Sequence, residues 1–176
     1  MRKLHVGGQI RAPGWEVLDA FERPEVDHVG NAKDLSRFED GTFDAVYASH
    51  VVEHFDYARG ELPNTLKEWN RVLAPGGQLY VSVPDMDTLC ELFLLRESID
   101  LEQRWSIMRM MFGGHVDEHD YHVVGLNEEF LNIFLRDAGF VNCRRVPTFG
   151  IFEDTSTLEF HGTLISLNMV AQKVAS

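Results

Sequence analysis

Residues 43–55 read Phe43-Asp44-Ala45-Val46-Tyr47-Ala48-Ser49-His50-Val51-Val52-Glu53-His54-Phe55, and the fold turns on how this stretch is understood. The apolar set Phe43, Val46, Tyr47 and Ala48 is too short for an amphipathic helix and suits a buried strand. It breaks at Ser49-His50, a polar, ionisable pair. In an open α/β sheet ligands bind in the crevice outside the carboxyl ends of the strands, so the chemistry is expected just after that break.

Toward the amino terminus, Leu4-His5-Val6 runs directly into Gly7-Gly8-Gln9. That is the layout of a loop bringing backbone close to a ligand, although Gly-Gly also marks plain tight turns. Arg11-Ala12-Pro13-Gly14 interrupts any helix and a second strand, Trp15 to Asp19, begins at once, so the first crossover is minimal. A short apolar piece, Val26 to Val29, leads into Gly30-Asn31-Ala32-Lys33-Asp34-Leu35. Ser36 to Gly41 reads as a charged surface loop.

Toward the carboxyl terminus, Leu62, Leu66, Trp69 and Leu73 share one helical face, Pro63 suits the first turn, and Pro75-Gly76-Gly77 stops the helix. The strand Gln78 to Asp85 follows, with a proline that cannot continue the ladder. Thr88 to Phe112 is mostly helical in pattern, with Leu89, Leu92, Phe93, Trp105, Met108 and Phe112 as its buried stripe. Gly113 to His122 holds the densest cluster of ionisable side chains. Asn127 caps a helix whose apolar face is Phe130, Leu131, Phe134, Leu135 and Ala138, closed by Gly139. Phe140 to Val146 and Thr163 to Val174 read as two strands joined by a longer loop, with Ile165, Leu167, Met169 and Ala171 on one face of the last. Strands alternating with helices and ending in a strand pair indicate an α/β fold, a mostly parallel sheet with an antiparallel C-terminal edge.

The 176 residues, 44% hydrophobic, suit one core, and a single domain over 1–176 is expected. Acids outnumber bases 28 to 16, for a net charge of −12, which disfavours a phosphate-backbone footprint and hence a nucleic-acid partner. Cys90 and Cys143 lack metal-type spacing, the amino terminus has no apolar signal core, and no run approaches the roughly 20 apolar residues of a membrane span. A soluble cytoplasmic protein with no membrane partner is expected.

Three of these segments, Gly30 to Leu35, Phe43 to Phe55 and Arg71-Val72-Leu73-Ala74-Pro75-Gly76-Gly77-Gln78-Leu79, together resemble the class I S-adenosylmethionine-dependent methyltransferases. Within these the chain is most similar to the small methyltransferase type 11-like group often associated with bacterial polysaccharide and cell-surface biosynthesis. Gly113-Gly114, His122, Asp137-Ala138-Gly139-Phe140 and Leu167 to Ala171 extend the resemblance over nearly the whole chain. It implies a Rossmann-like three-layer sandwich with shortened N-terminal helices, and S-adenosylmethionine as cofactor across the carboxyl ends of the first strands. Gly7 and Gly8 would line its methionine and ribose side. Asp19 would accept the two ribose hydroxyls, a task for a side chain that offers only acceptors. Asn31 stands where the family commonly has an aspartate facing the adenine amino group, the Ala32 N–H would meet an adenine nitrogen, and Ser49 and His50 would flank the methionine portion. Two departures from the family pattern stand out: Gln9 replaces a further glycine, and the first helix is nearly absent, with Arg11 near enough in sequence to replace its charge.

The function implied is methyl transfer to a small-molecule acceptor such as a sugar or polysaccharide precursor. The alternative, motivated by the two departures, is a non-catalytic binding or regulatory module. A hydroxyl acceptor needs a base, and neutral histidine is available at physiological pH. His122 and His115 rank first, in the loop expected to cover the substrate, with His54 and Glu53 behind them and His50 and His119 further candidates. His115, His119 and His122 with Asp117, Glu118 and Asp120 match no dedicated zinc cage, so no metal site is assigned.

Overall fold

Seven strands of the computed structural model, which describes residues 1–116 and 120–175, pair into one sheet. They are β1 (Lys3–Val6), β2 (Trp15–Asp19), β3 (His28–Val29), β4 (Phe43–Ser49), β5 (Leu73–Pro84), β6 (Phe140–Val146) and β9 (Ser166–Lys173), in the order β3-β2-β1-β4-β5-β9-β6. The first five are parallel, and β9 runs antiparallel to both β5 and β6. β7 (Glu159–Phe160) and β8 (Thr163–Leu164) form a separate hairpin. The chain steps from β1 outward to β2 and β3, then returns to place β4 on the other side of β1. That reversal makes the carboxyl ends of β1 and β4 a topological switch point, where an open α/β sheet leaves a crevice.

Side chains alternate along each strand, and the two faces are covered differently. Leu4, Val6, Val46, Ala48, Leu79, Val81, Leu167 and Met169 join the main core with helix α1 (Glu61–Val72) and helix α4 (Glu128–Asp137), centred on the fully buried Trp69. On the alternate positions lie His5, Trp15, Tyr47 and Tyr80. Phe152, from the loop after β6, meets His5, Tyr47 and Trp15 at ring-centroid distances of 4.2, 4.7 and 5.4 Å, and Phe149 meets Tyr47 and Tyr80 at 5.4 and 5.6 Å. The Tyr47 hydroxyl donates to Asp154 at 2.8 Å, anchoring the loop. Aromatic pairs of this kind contribute about 0.5–1.5 kcal/mol each beyond area burial. The loop thus covers part of the sheet that the first, helix-free crossovers leave bare.

Those crossovers are tied straight to the strands by their own backbone. Gly7 N–H donates to Leu18 at 2.8 Å, Asp27 N–H to Val17 at 2.9 Å and Gly30 N–H to Asp19 at 2.9 Å. The expectation of shortened N-terminal helices holds, since no described helix precedes residue 52.

Two local expectations are corrected. The strand expected from Gln78 begins at Leu73, which pairs with Phe43; the register then shifts before Ala45 pairs with Gln78, so Pro75-Gly76-Gly77 is an irregularity within β5. The helix expected over Thr88 to Phe112 is two: α2 (Met86–Leu94) and α3 (Leu101–Phe112), the latter opened by a reciprocal Asp100–Gln103 capping box. The break rotates the second helix, so Trp105 and Phe112 are exposed and Ile107 takes the core position, joining Leu89, Leu92, Ile99 and Ile165 in a smaller cluster. No described helix is long and apolar enough to cross a membrane.

Candidate functional site

The crevice at the switch point is a cleft of about 690 Å³, within the usual range for small-molecule sites. Gly7, Asp19, Asn31, Ala32 and His50 line it, and Gln9 stands in its wall without filling it. Ser49 instead lines an adjoining cavity of about 320 Å³ with His5, Asp154 and Thr155, and its hydroxyl points to Asp154 at 3.4 Å. Gly8 lines neither. A Cβ there would lie 2.7 Å from the His5 ring, so this glycine makes room for a buried side chain.

The polar groups of the cleft are already partly engaged. Asp19, almost buried, accepts from Phe21 N–H at 2.8 Å and pairs with Arg23 at 2.9 Å. The Asn31 amide oxygen accepts from Lys33 N–H at 2.9 Å, which closes a tight turn and leaves one lone pair for a further donor. Trp69 Nε1–H donates to the Ala32 carbonyl at 2.8 Å, fastening the 30–33 loop to α1. Arg11 pairs with Asp27 at 3.1 Å and is not among the cleft's lining residues; the cations there are Arg23 and Lys33.

Just past β4 the chain turns at His50, which has a positive φ of 54°, into a single 3-10 turn over Val52–His54. Ser166 Oγ gives its proton to the Thr155 carbonyl at 2.8 Å, so the 2.8 Å contact between that oxygen and His50 Nε2 requires the ring to donate. The His50 Nδ1 lone pair then faces Glu53 Oε1 at 3.5 Å. Glu53 is 1% exposed, and neither of its oxygens accepts a hydrogen bond. Burial pushes its carboxyl up to about 8 and the His50 imidazole down to about 3.

His54 Nδ1–H donates to the Tyr121 carbonyl at 3.0 Å, which leaves the lone pair on Nε2. His122 packs edge-on against it, ring centroids 5.0 Å apart, and its buried Nδ1 has no partner. Burial, reinforced by His54, lowers the His122 pKa. One potential ligand atom from each of Glu53, His54 and His122 lies within 4.8 Å of the other two. His54 also lines the cofactor-sized cleft, so the cluster sits at its edge.

His115 is not brought to this point. It stacks on Tyr121 at 4.1 Å, donates from Nε2 to the Phe112 carbonyl at 2.8 Å and lines no part of the cleft. Asp117, Glu118 and His119 lie outside the described residues. The convergence missed in the sequence is therefore Glu53-His54 with His122, not the 115–122 run by itself. The available signal was Glu53-His54 standing just past the break that ends β4, where an open α/β sheet leaves its crevice.

Residues 16–81 match the family described as "Methyltransferase domain". Over its whole length the chain is similar to solved methyltransferase structures. The CurJ carbon methyltransferase is 18% identical, over 99% of this chain and 48% of that one, with a TM-score of 0.59. The Burkholderia thailandensis 1,6-didemethyltoxoflavin-N1-methyltransferase, solved with 1,6-didemethyltoxoflavin and S-adenosylhomocysteine bound, is 18% identical over 98% and 71%, with a TM-score of 0.58. A SAM-dependent methyltransferase from Archaeoglobus fulgidus is 16% identical over 98% and 86%, with a TM-score of 0.60. The chain spans about half the length of the first of these. No curated protein matches the sequence. The expected resemblance to class I S-adenosylmethionine-dependent methyltransferases is borne out for the fold, with the family match confined to residues 16–81.

Proposed function

We propose that the chain binds S-adenosylmethionine in the cleft above β1, β2 and β4 and transfers its methyl group to a hydroxyl of a small-molecule acceptor, such as a sugar or polysaccharide precursor. The observation that carries this reading is the convergence of Gly7, Asp19, Asn31, Ala32 and His50, from four separate segments, on one cleft at the switch point. Asp19 would take the ribose hydroxyls once Arg23 yields an oxygen, Asn31 and Ala32 the adenine edge, and Gly7 and His50 the methionine portion. When bound, the cofactor supplies an electrophilic methyl group on a sulfonium.

The chain's own contribution is chiefly positional, since holding the acceptor oxygen in line with the methyl group removes most of the entropic barrier. The acceptor's proton must also leave. The imidazoles of His54 and His122, at the cleft edge, are the groups placed to assist that step. His115 would brace Tyr121 in the cleft wall. Arg23 on Asp19 is the one contact that favours the alternative of a module without turnover.

The test is production of S-adenosylhomocysteine from S-adenosylmethionine over a panel of sugars and nucleotide sugars. Product above the acceptor-free background, lost in the Asp19→Ala variant, supports the reading. A protein that leaves labelled S-adenosylmethionine wholly unbound in equilibrium dialysis contradicts it.

A further inference from the structure

We propose that Glu53, His54 and His122 hold a divalent transition-metal ion at the edge of the cleft, with zinc as the representative ion. Two imidazoles and one carboxylate are a sufficient protein set for a catalytic metal, which keeps a further position open for water or substrate. Their ligand atoms already lie within 4.8 Å of one another.

The stronger argument is what these groups lack. Glu53 is buried with both carboxylate oxygens unpartnered, and the His122 Nδ1 is buried and unpartnered beside it. Burying polar atoms without partners is costly, and more so for charged groups. His50 Nδ1, 3.5 Å from the carboxylate, presents a lone pair because its Nε2–H is committed to Ser166. With Glu53 ionised, acceptors face acceptors across a small space, and a cation satisfies them together.

The outer contacts have the form such sites use. Ligating histidines generally donate their second ring N–H to a carbonyl or carboxylate, which fixes the tautomer. His54 does so to Tyr121. Val123 N–H donates to the Glu53 carbonyl at 2.9 Å and so ties the segment carrying His122 to the turn carrying the other two ligands.

The open position would face the cleft, since His54 is the ligand in its wall. With His54 and His122 committed as ligands and no longer serving as bases, an acceptor hydroxyl bound there would give up its proton to solvent. Its oxygen then forms the new bond to the methyl carbon as the carbon–sulfur bond breaks, and the sulfur keeps that electron pair. This role rests on the methyl-transfer reading; the binding of the metal does not.

The experiment strips the full chain with a chelator and titrates it with Zn²⁺ by calorimetry, then with Co²⁺ by visible absorption. One Zn²⁺ per chain is expected, with the absorption band of imidazole-ligated cobalt. His54→Ala and His122→Ala, with their folding checked by circular dichroism, are expected to weaken Zn²⁺ binding by at least about tenfold, as losses around metal sites do. His161→Ala, in the turn between β7 and β8, is expected to bind as the wild type. Absence of saturable Zn²⁺ binding overturns the proposal, as does wild-type affinity in both folded variants. Should the variants not fold, the cobalt spectrum of the wild-type chain decides, a spectrum without imidazole ligation overturning it. S-adenosylhomocysteine is titrated into the same metal-free protein: binding there without any metal binding sinks this inference alone, and the reverse sinks the methyl-transfer reading alone.

Discussion

Arg23 Nη2 lies 2.9 Å from an Asp19 carboxylate oxygen in the wall of the cleft, and the other Asp19 oxygen accepts from Phe21 N–H. Arg23 also reaches Glu25 at 2.8 Å and the Gly8 carbonyl at 3.3 Å, so it has partners to retain when it leaves Asp19. On the proposed reading, a cofactor ribose at Asp19 would have to compete with a neighbour already in place. The pair is partly solvated and worth at most about 1 kcal/mol. Arg23→Ala should accordingly tighten S-adenosylhomocysteine binding up to about fivefold by calorimetry, on the scale of about 1.4 kcal/mol per tenfold. Weaker binding would mean that Arg23 itself holds the cofactor.

Gly7 has φ of +69°, and a Cβ there would meet Val51 Cγ2 at 2.7 Å; Gly14 has φ of +80° with open space around it. Both positions share the backbone cost of an alanine, about 1 kcal/mol, but only Gly7 adds a clash within the cleft wall. Gly7→Ala should therefore lower the melting temperature more than Gly14→Ala does, and only Gly7→Ala should weaken cofactor binding. Equal behaviour of the two in both measurements would rule out the close approach as the reason for glycine.

Trp69 is fully buried in α1, yet its indole N–H holds the Ala32 carbonyl in the 30–33 loop of the cleft. Trp69→Phe keeps most of the apolar bulk and removes that bond, a loss of about 1 kcal/mol. The melting temperature should fall by several degrees, and S-adenosylhomocysteine affinity should drop as the loop loosens. Unchanged affinity in a destabilised variant would uncouple helix from loop.

His5 gives the fold a pH dependence. Burial lowers its pKa from about 6.5 to about 4, against the opposing charges of Asp154 and Asp19. The folded state thus binds the proton less readily than the unfolded chain. The stabilising contribution is fully present above about pH 6.5 and is lost as the pH falls through about 4. His5→Phe preserves ring packing against Phe152 and Tyr47 and should flatten this part of the denaturation profile between pH 7 and 4. A profile identical to the wild type would remove His5 as the cause.

Strand β4 was legible because an apolar run broken by Ser49-His50 has few other readings, and β2 because Pro13-Gly14 and Asp19 mark its limits. The helix pair α2 and α3 was read as one because apolar residues continue through the break, although Asp100-x-x-Gln103 was a capping signal. Phe149, Phe152 and Asp154 left no trace of their covering role, since loop residues carry no periodicity and their partners His5, Trp15 and Tyr47 lie more than a hundred residues away in the chain. Glu53 and His54 are visible as neighbours, but their meeting with His122, far along the chain, depends on the backbone tie at Val123.

The central claim is that the cleft between Gly7, Asp19 and Ala32 is a nucleoside site. Titration calorimetry of S-adenosylhomocysteine into the full chain tests it most directly. The predicted result is saturable one-to-one heat by high micromolar ligand, weakened by at least about tenfold in Asp19→Ala, the cost of a charged hydrogen-bonding partner. No heat at high micromolar ligand, or an Asp19→Ala variant that binds as the wild type, would contradict it.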